Sequence, residues 1–265
     1  MSAKAADTHQ DEWLSPEEIR ELAVADRHLR ARKEAFTIIP GEMIKGEHLV
    51  ENDRGRQYTV TVHDPASGSG HCSCPDYLTN RLGTCKHLIH LVDHFKKTKN
   101  VTERLKKERF PFVDLYWDSV SDQPRLFRES AAAADPAAGR LADYFAADGR
   151  FAKEDLAELL PLLETLKGDK QVRIRETVLD RLDDRLMRQQ LSWLAADSEL
   201  PDPGLKTRLY PYQEKGVRFA LFNVAALIGD EMGLGKTIQA LGALLRRHVT
   251  GMAEKPTLVV CPTSL

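Results

Sequence analysis

Four side chains between positions 72 and 87 have the types and spacing of a metal site. Cys72-Ser73-Cys74 is followed, ten residues later, by Cys85-Lys86-His87. Three thiolates and one imidazole suit a tetrahedral Zn²⁺ ion, which takes sulfur and nitrogen donors together. The chain holds four cysteines, and three fall in this stretch. In a reducing compartment such a cluster reads as ligands rather than disulfides. His71 and His90 are rivals to His87 for the nitrogen position. Cys261 stands alone in an apolar run and reads as a small buried side chain.

A second constellation is Gly229-Asp230-Glu231-Met232-Gly233-Leu234-Gly235-Lys236-Thr237. Here the chemistry is phosphate binding. Gly233 and Gly235 let backbone N–H groups, that of Leu234 among them, close round a phosphate. Lys236 brings an ammonium group to the β- and γ-phosphates of ATP, and the Thr237 hydroxyl suits Mg²⁺. Asp230 stands where the strict GxxxxGK[ST] pattern has its first glycine.

Each constellation needs elements to hold it. Leu49-Val50, a turn at Asn52-Asp53-Arg54-Gly55, and Tyr58, Val60 and Val62 at alternate positions predict a hairpin over His48–His63. A flexible turn, Pro65 to Gly70, then delivers the CxC pair. After Cys85, the apolar stripe Leu88, Ile89, Leu91, Val92, Phe95 predicts a helix, so the order is ββα. For the phosphate loop, Val224-Ala225-Ala226-Leu227-Ile228 predicts a buried strand before it. Ile238, Leu241, Leu244 and Leu245 predict a helix after it, and strand, loop, helix is what such a loop requires.

The remaining segments read as scaffold. Ser15-Pro16-Glu17-Glu18 is a capping box opening a helix from about Trp13 to Lys33, with no chemistry of its own. Residues 81–110 carry nine basic side chains (Arg81, Lys86, Lys96, Lys97, Lys99, Arg104, Lys106, Lys107, Arg109) against three acidic ones. That excess suits a phosphate backbone, although a charge run is usually a solvated face. Phe110, Phe112, Tyr116 and Trp117 read as core. Ser121 to Gly139, with its alanine run before Pro136, predicts a linker. Leucines along Leu141 to Leu194 predict a helical spacer, and Pro201-Asp202-Pro203-Gly204 breaks the chain after it.

Two resemblances carry the reading further. The CxC…CxH spacing within a ββα order, over residues 48–96, resembles the SWIM zinc finger. This resemblance implies that Cys72, Cys74, Cys85 and His87 bind zinc and that the module contacts DNA or a protein partner. Asp-Glu-Met-Gly-Leu-Gly-Lys-Thr at 230–237 resembles motif I of Swi/Snf-type ATPases of helicase superfamily two. Leu209-Tyr210-Pro211-Tyr212-Gln213 resembles that family's Q motif, which implies that Gln213 reads adenine. The family often has a basic residue where this chain has Tyr210. Leu258 to Leu265 resembles a core strand running into motif Ia, a segment that in the family contacts the DNA backbone.

Together these readings predict five stretches: 1–47, an N-terminal helical segment; 48–96, the zinc module; 97–140, a basic helix and linker; 141–200, a helical spacer; and 201–265, the start of an ATP-binding lobe. The expected fold class is an α+β zinc module (ββα) and a helical spacer, then the beginning of an α/β RecA-like P-loop lobe. The expected cofactors are Zn²⁺, ATP and Mg²⁺. The expected activity is ATP hydrolysis coupled to translocation on double-stranded DNA, with Lys236 and Thr237 catalytic. No Walker B carboxylates or second lobe follow the loop, so the chain reads as an N-terminal fragment that is inactive alone. A zinc-binding adaptor is the alternative, and a small-molecule kinase is a weaker third. The net charge of −2 gives no global pull towards nucleic acid, so any such contact must be local. With 42% hydrophobic and 29% charged residues, no membrane-length apolar run and no secretion signal, the chain is expected to be soluble and cytoplasmic.

Overall fold

The computed structural model describes residues 13–129, 140, 141, 143–197, 199, 200, 202, 204–253 and 255–261. The chain divides into two compact units, Met1–Arg181 and Leu182–Leu265.

In the first unit, helix α1 (Pro16–Lys33) starts at the expected capping box. Ser15 Oγ accepts from the Glu18 N–H at 3.2 Å, and the Glu18 carboxylate accepts from the Ser15 N–H at 2.7 Å. Strands β1 (Phe36–Ile39), β2 (Gly46–Asn52), β3 (Gln57–Asp64) and β4 (Ser69–Cys72) follow as one antiparallel sheet in that order. The predicted hairpin is its centre, with Val50 opposite Tyr58. Asn52 closes the turn by accepting from the N–H groups of Arg54 and Arg56. The sheet is larger than the expected pair, because β1 and β4 flank the hairpin.

Alternation along β3 gives the sheet two buried faces. Val60 and Val62 join Val50, Cys72, Leu88, Leu91 and Phe95 in one core. That core lies beneath helices α2 (Pro75–Thr79) and α3 (Lys86–Lys96), with Val101 and Leu105 of α4 (Val101–Lys107) packed against it. On the other face, His63 meets Asp114 of a second sheet, and Thr61 meets Arg175, which lies just past that sheet's last strand.

The second sheet has the order β6-β5-β7 and is built from β5 (Val113–Asp118), β6 (Gln123–Phe127) and β7 (Val172–Ile174). It corrects two expectations. Residues 123–127 of the expected linker are a strand; its residues 130–139 lie outside the described residues. The expected helical spacer contains helices α5 (Leu159–Leu166) and α6 (Glu176–Asp197), but β7 lies between them and pairs parallel to β5, Leu115 opposite Ile174. Tyr116 and Trp117 are buried on β5 and Phe110 just before it, as core residues.

One buried network holds the two sheets together. Asp114 accepts from Arg175 Nε at 2.6 Å and shares a 2.7 Å hydrogen bond with His63 Nε2. Arg175 also pairs with Glu47 and donates to Thr61 Oγ1 at 2.9 Å. Despite burial, the hydrogen bond with His63 and the charge of Arg175 hold the Asp114 carboxyl below its usual range.

In the second unit, α7 (Pro211–Leu221) and α8 (Lys236–Val249) pack through Leu209, Val217 and Ala243. Arg246 of α8 grips Glu214 of α7 with two bonds of 2.7 and 3.0 Å. The strand expected at Val224–Ile228 is not formed: Leu227 is 90% exposed, and no described residue pairs with the segment. Leu258–Cys261 is likewise irregular and exposed, so Cys261 is not the buried side chain expected. A strand is stable only with a paired neighbour, and apolar composition alone supplies none. Pro201, Pro203 and Pro262–Leu265, the last within the expected motif Ia, lie outside the described residues. No helix among the described residues is long and apolar enough to cross a membrane.

Candidate metal centre and nucleotide loop

Cys72 ends β4, Cys74 is the N-cap of α2, and Cys85 is the N-cap of α3 with His87 in that helix's first turn. A strand end and two helix starts therefore converge. One donor atom from each of Cys72, Cys74, Cys85 and His87 lies within 4.8 Å of the others, and all four residues are buried. His87 Nδ1 lies 3.9 Å from Cys72 Sγ and 4.0 Å from Cys85 Sγ. Zn–S bonds of about 2.3 Å at tetrahedral angles would set sulfurs about 3.8 Å apart, so the cluster has the dimensions of the ion.

The electrostatics point the same way. Hydrogen bonds from the thiols of Cys72 and Cys85 push the Cys74 thiol far below its ordinary range, and burial pushes that of Cys72 far above it. Three thiolates this close and dry cannot coexist without a cation among them. Helix N-termini at Cys74 and Cys85 favour the anionic forms. The donor set therefore fits Zn²⁺.

Of the two rivals, only His90 has a hydrogen-bond partner of its own; the buried Nε2 of His71 has none among the described residues. His90 Nδ1 is 2.8 Å from the Ala31 carbonyl oxygen, and the His71 ring lies against Tyr77 and Tyr116. The His87 ring sits between Phe36, edge-on at 5.1 Å, and Tyr58 at 4.5 Å.

Helix α1, expected to carry no chemistry, braces the loop between the two cysteine pairs. Arg27 grips Asp76 with bonds of 2.7 and 3.4 Å. Arg20 donates to the carbonyls of Arg81 and Leu82 at 3.1 and 3.2 Å. Glu34, just past α1, pairs with Lys86 between Cys85 and His87. Composition and spacing gave no sign of these roles, because each joins residues 49 or more positions apart.

In the second unit, Gly233 and Gly235 have φ of 88° and 75°, left-handed conformations that glycine adopts without strain. Gly235 is the N-cap of α8, so Lys236, Thr237 and Ile238 open the helix with amides that lack intrahelical partners. Such an end is a ready anion site. Lys236 Nζ is turned into the loop, donating to the carbonyls of Asp230 at 2.8 Å and Glu231 at 3.0 Å. Thr237 is exposed at the mouth of the loop.

Gln213 sits elsewhere than an unengaged adenine reader would. It is 6% exposed; its Oε1 accepts from the Tyr210 N–H at 3.0 Å, and its Nε2 donates to the Leu234 carbonyl at 3.1 Å. Asp230, the departure from the strict loop pattern, accepts from Gln239 Nε2 at 2.6 Å. That glutamine packs so tightly on α7 that a Cβ at Gly216 would lie 2.0 Å from its Oε1.

Residues 186–265 match the SNF2-related domain family. A Caenorhabditis elegans protein described as a SWI/SNF-related matrix-associated actin-dependent regulator of chromatin subfamily A-like protein 1 homolog is 48% identical over 75 residues, 27% of this chain and 10% of that protein. The DNA excision repair protein CSB of Oryza sativa is 41% identical over 81 residues, 29% of this chain and 7% of its own length. Human DNA annealing helicase and endonuclease ZRANB3 is 46% identical over 67 residues, 25% of this chain and 6% of its length. The chain thus spans a tenth or less of these relatives, and no solved structure matches it. The carboxyl-terminal segment is thus similar to that of SNF2-type helicase-like proteins, the likeness its motifs led us to expect.

Proposed function

We propose that the chain is the zinc- and ATP-binding front portion of a DNA translocase of the Swi/Snf type, with a SWIM-like zinc module ahead of the first ATP-binding segment. The observation that carries the reading is the loop at 229–237: two left-handed glycines, a helix beginning at Lys236, and an ammonium group turned inward. These lie inside the segment that matches the SNF2-related domain.

In this reading the amides of Gly233 to Thr237 bind the phosphates. Lys236 leaves the carbonyls of Asp230 and Glu231 for the β- and γ-phosphate oxygens. Thr237 offers its hydroxyl to Mg²⁺, whose charge would offset that building on the transferred phosphoryl group. Gln213 faces a choice: to read adenine with both edges of its amide, it must release Tyr210 and Leu234. Zn²⁺, held by Cys72, Cys74, Cys85 and His87, supplies folding energy and no reaction step. A reducing compartment, in our reading the cytoplasm, keeps those thiols available. Double-stranded DNA is the proposed track, and the zinc module is a second place for DNA or a protein to dock.

A fluorescent ATP analogue titrated into the chain and into Lys236→Ala tests this. The expected result is magnesium-dependent binding that weakens at least about tenfold in the variant, which is about 1.4 kcal/mol. Equal binding to both would remove the motor assignment and leave a zinc-binding adaptor.

A further inference from the structure

Residues 96–109 form a positively charged elbow remote in sequence from the nucleotide loop. Lys96 ends α3, Asn100 turns the chain in a left-handed conformation with φ of 59°, and α4 follows. Val101 and Leu105 pack onto the core. Lys106 and Lys107, about 100° and 200° round the helix from Leu105, are therefore turned to solvent.

The elbow holds seven basic side chains (Lys96, Lys97, Lys99, Arg104, Lys106, Lys107, Arg109) and two acidic ones, a net +5 (7 − 2) within a chain of net −2. A face that is merely solvated usually mixes charges that offset one another. Here both acids are committed. Glu108 accepts from the N–H groups of Ile44 and Lys45 and from Arg104, and Glu103 pairs with Lys106. Lys96, Lys97, Lys99, Lys107 and Arg109 are exposed, with no ion pair or hydrogen bond from their side chains among the described residues.

We infer that this elbow is a docking surface for the phosphate backbone of duplex DNA, independent of base sequence. The seven residues of α4 span about 10 Å at helical rise. That length alone covers about three phosphates of one strand at 3.4 Å each. Phe95 and Phe110, the phenylalanines flanking the stretch, are buried. The surface therefore offers charge without the stacking platforms by which single strands are held. It belongs to the first unit and shares no residue with the nucleotide loop, so neither claim needs the other.

Anisotropy of a labelled duplex of about 20 base pairs, titrated with the full chain between 50 and 200 mM salt, tests the inference. Each phosphate contact contributes about 0.9 to the slope of log affinity against log salt. Replacing Lys96, Lys97 and Lys99 together by Gln should flatten the slope by about 2 to 3. Affinity near 0.1 M salt should fall at least about tenfold, on unrelated sequences alike. Lys107→Gln with Arg109→Gln should flatten it by about 2. Arginine at the three lysine positions should keep the wild-type slope. No duplex binding at 50 mM salt, an unchanged slope in the glutamine variants, or equal displacement by single-stranded DNA, duplex RNA or anionic lipid vesicles would overturn it. Nucleotide binding by Lys236→Ala is measured separately, so a failed motor reading and a failed elbow are told apart.

Discussion

The side-chain amide of Gln213 donates to the backbone carbonyl of Leu234 across 3.1 Å, tying the start of α7 to the phosphate loop. Its oxygen accepts from the Tyr210 N–H at the same time, so one buried amide both caps the helix and braces the loop. Gln213→Ala removes both bonds and leaves the Tyr210 N–H without its partner. Losing buried hydrogen bonds of this kind costs about 1–3 kcal/mol. We expect earlier thermal unfolding of the second unit even without nucleotide, followed by the near-ultraviolet signal of Tyr210 and Tyr212. An unchanged midpoint would show that the amide serves the nucleotide alone.

Metal removal should unfold the first unit locally. The core around Leu88 and Leu91 includes Cys72, Cys74 and Cys85 themselves, so uncompensated thiolates there would open it. A chelator should therefore lower the helical circular dichroism of the wild type, and added Zn²⁺ should restore it. Cys74→Ser should bind less zinc by elemental analysis; equal zinc content would strike Cys74 from the ligand set.

Arg27→Ala tests the brace from α1. Its forked bond to Asp76 is about one-fifth to one-quarter exposed, so we expect a loss near 1 kcal/mol rather than the full value of a buried charged pair. Zinc should leave faster to a competing chelator, and Arg27→Lys should recover only part of the retention because lysine lacks the fork. Wild-type release kinetics in Arg27→Ala would show that α1 is a passive neighbour.

The first unit should lose stability in mild acid. His48 is buried, with Nδ1 accepting from the Gly41 N–H at 3.0 Å and Nε2 donating to the Ile44 carbonyl at 3.0 Å. Protonation would set two hydrogens against one another at Nδ1. Burial lowers the His48 pKa below its ordinary 6.5, against a smaller upward pull from Ile44. A depressed value in the folded state means that the unfolded chain binds more protons below pH 6.5. Stability is therefore complete above that pH and declines as pH falls towards the folded pKa. Denaturant midpoints measured from pH 7.5 to 5 should fall, and the fall should shrink in His48→Gln. Identical profiles for the two proteins would assign the acid sensitivity to other groups.

Much of the scaffold could be read in the chain because the rules involved are local. The capping box at Ser15–Glu18 spans four residues, the hairpin over β2 and β3 turns on Asn52, and alternation along β3 sorts Val60 and Val62 from Thr61 and His63. The second sheet was not legible. β7 is three residues long and finds its partner β5 more than 50 positions back, so the leucine pattern around it reads as a helical spacer. Val224–Ile228 erred in the opposite direction: its composition suits a strand, but among the described residues it has no neighbour to pair with.

The amino-acid sequence by itself determined which groups are available: three thiols and several imidazoles close to one another, and glycines beside Lys236 in a loop that opens a helix. Spacing of a few residues suffices there, since backbone geometry carries each donor only a short way. The tertiary structure decided which of those groups meet. It turned His87 towards the sulfurs and His90 towards Ala31, made α1 the brace of the ligand loop, and brought Arg175 to Glu47 across 128 positions. Such contacts depend on packing between distant elements, and burial fixes them by leaving each polar group only the partners that the folded chain supplies.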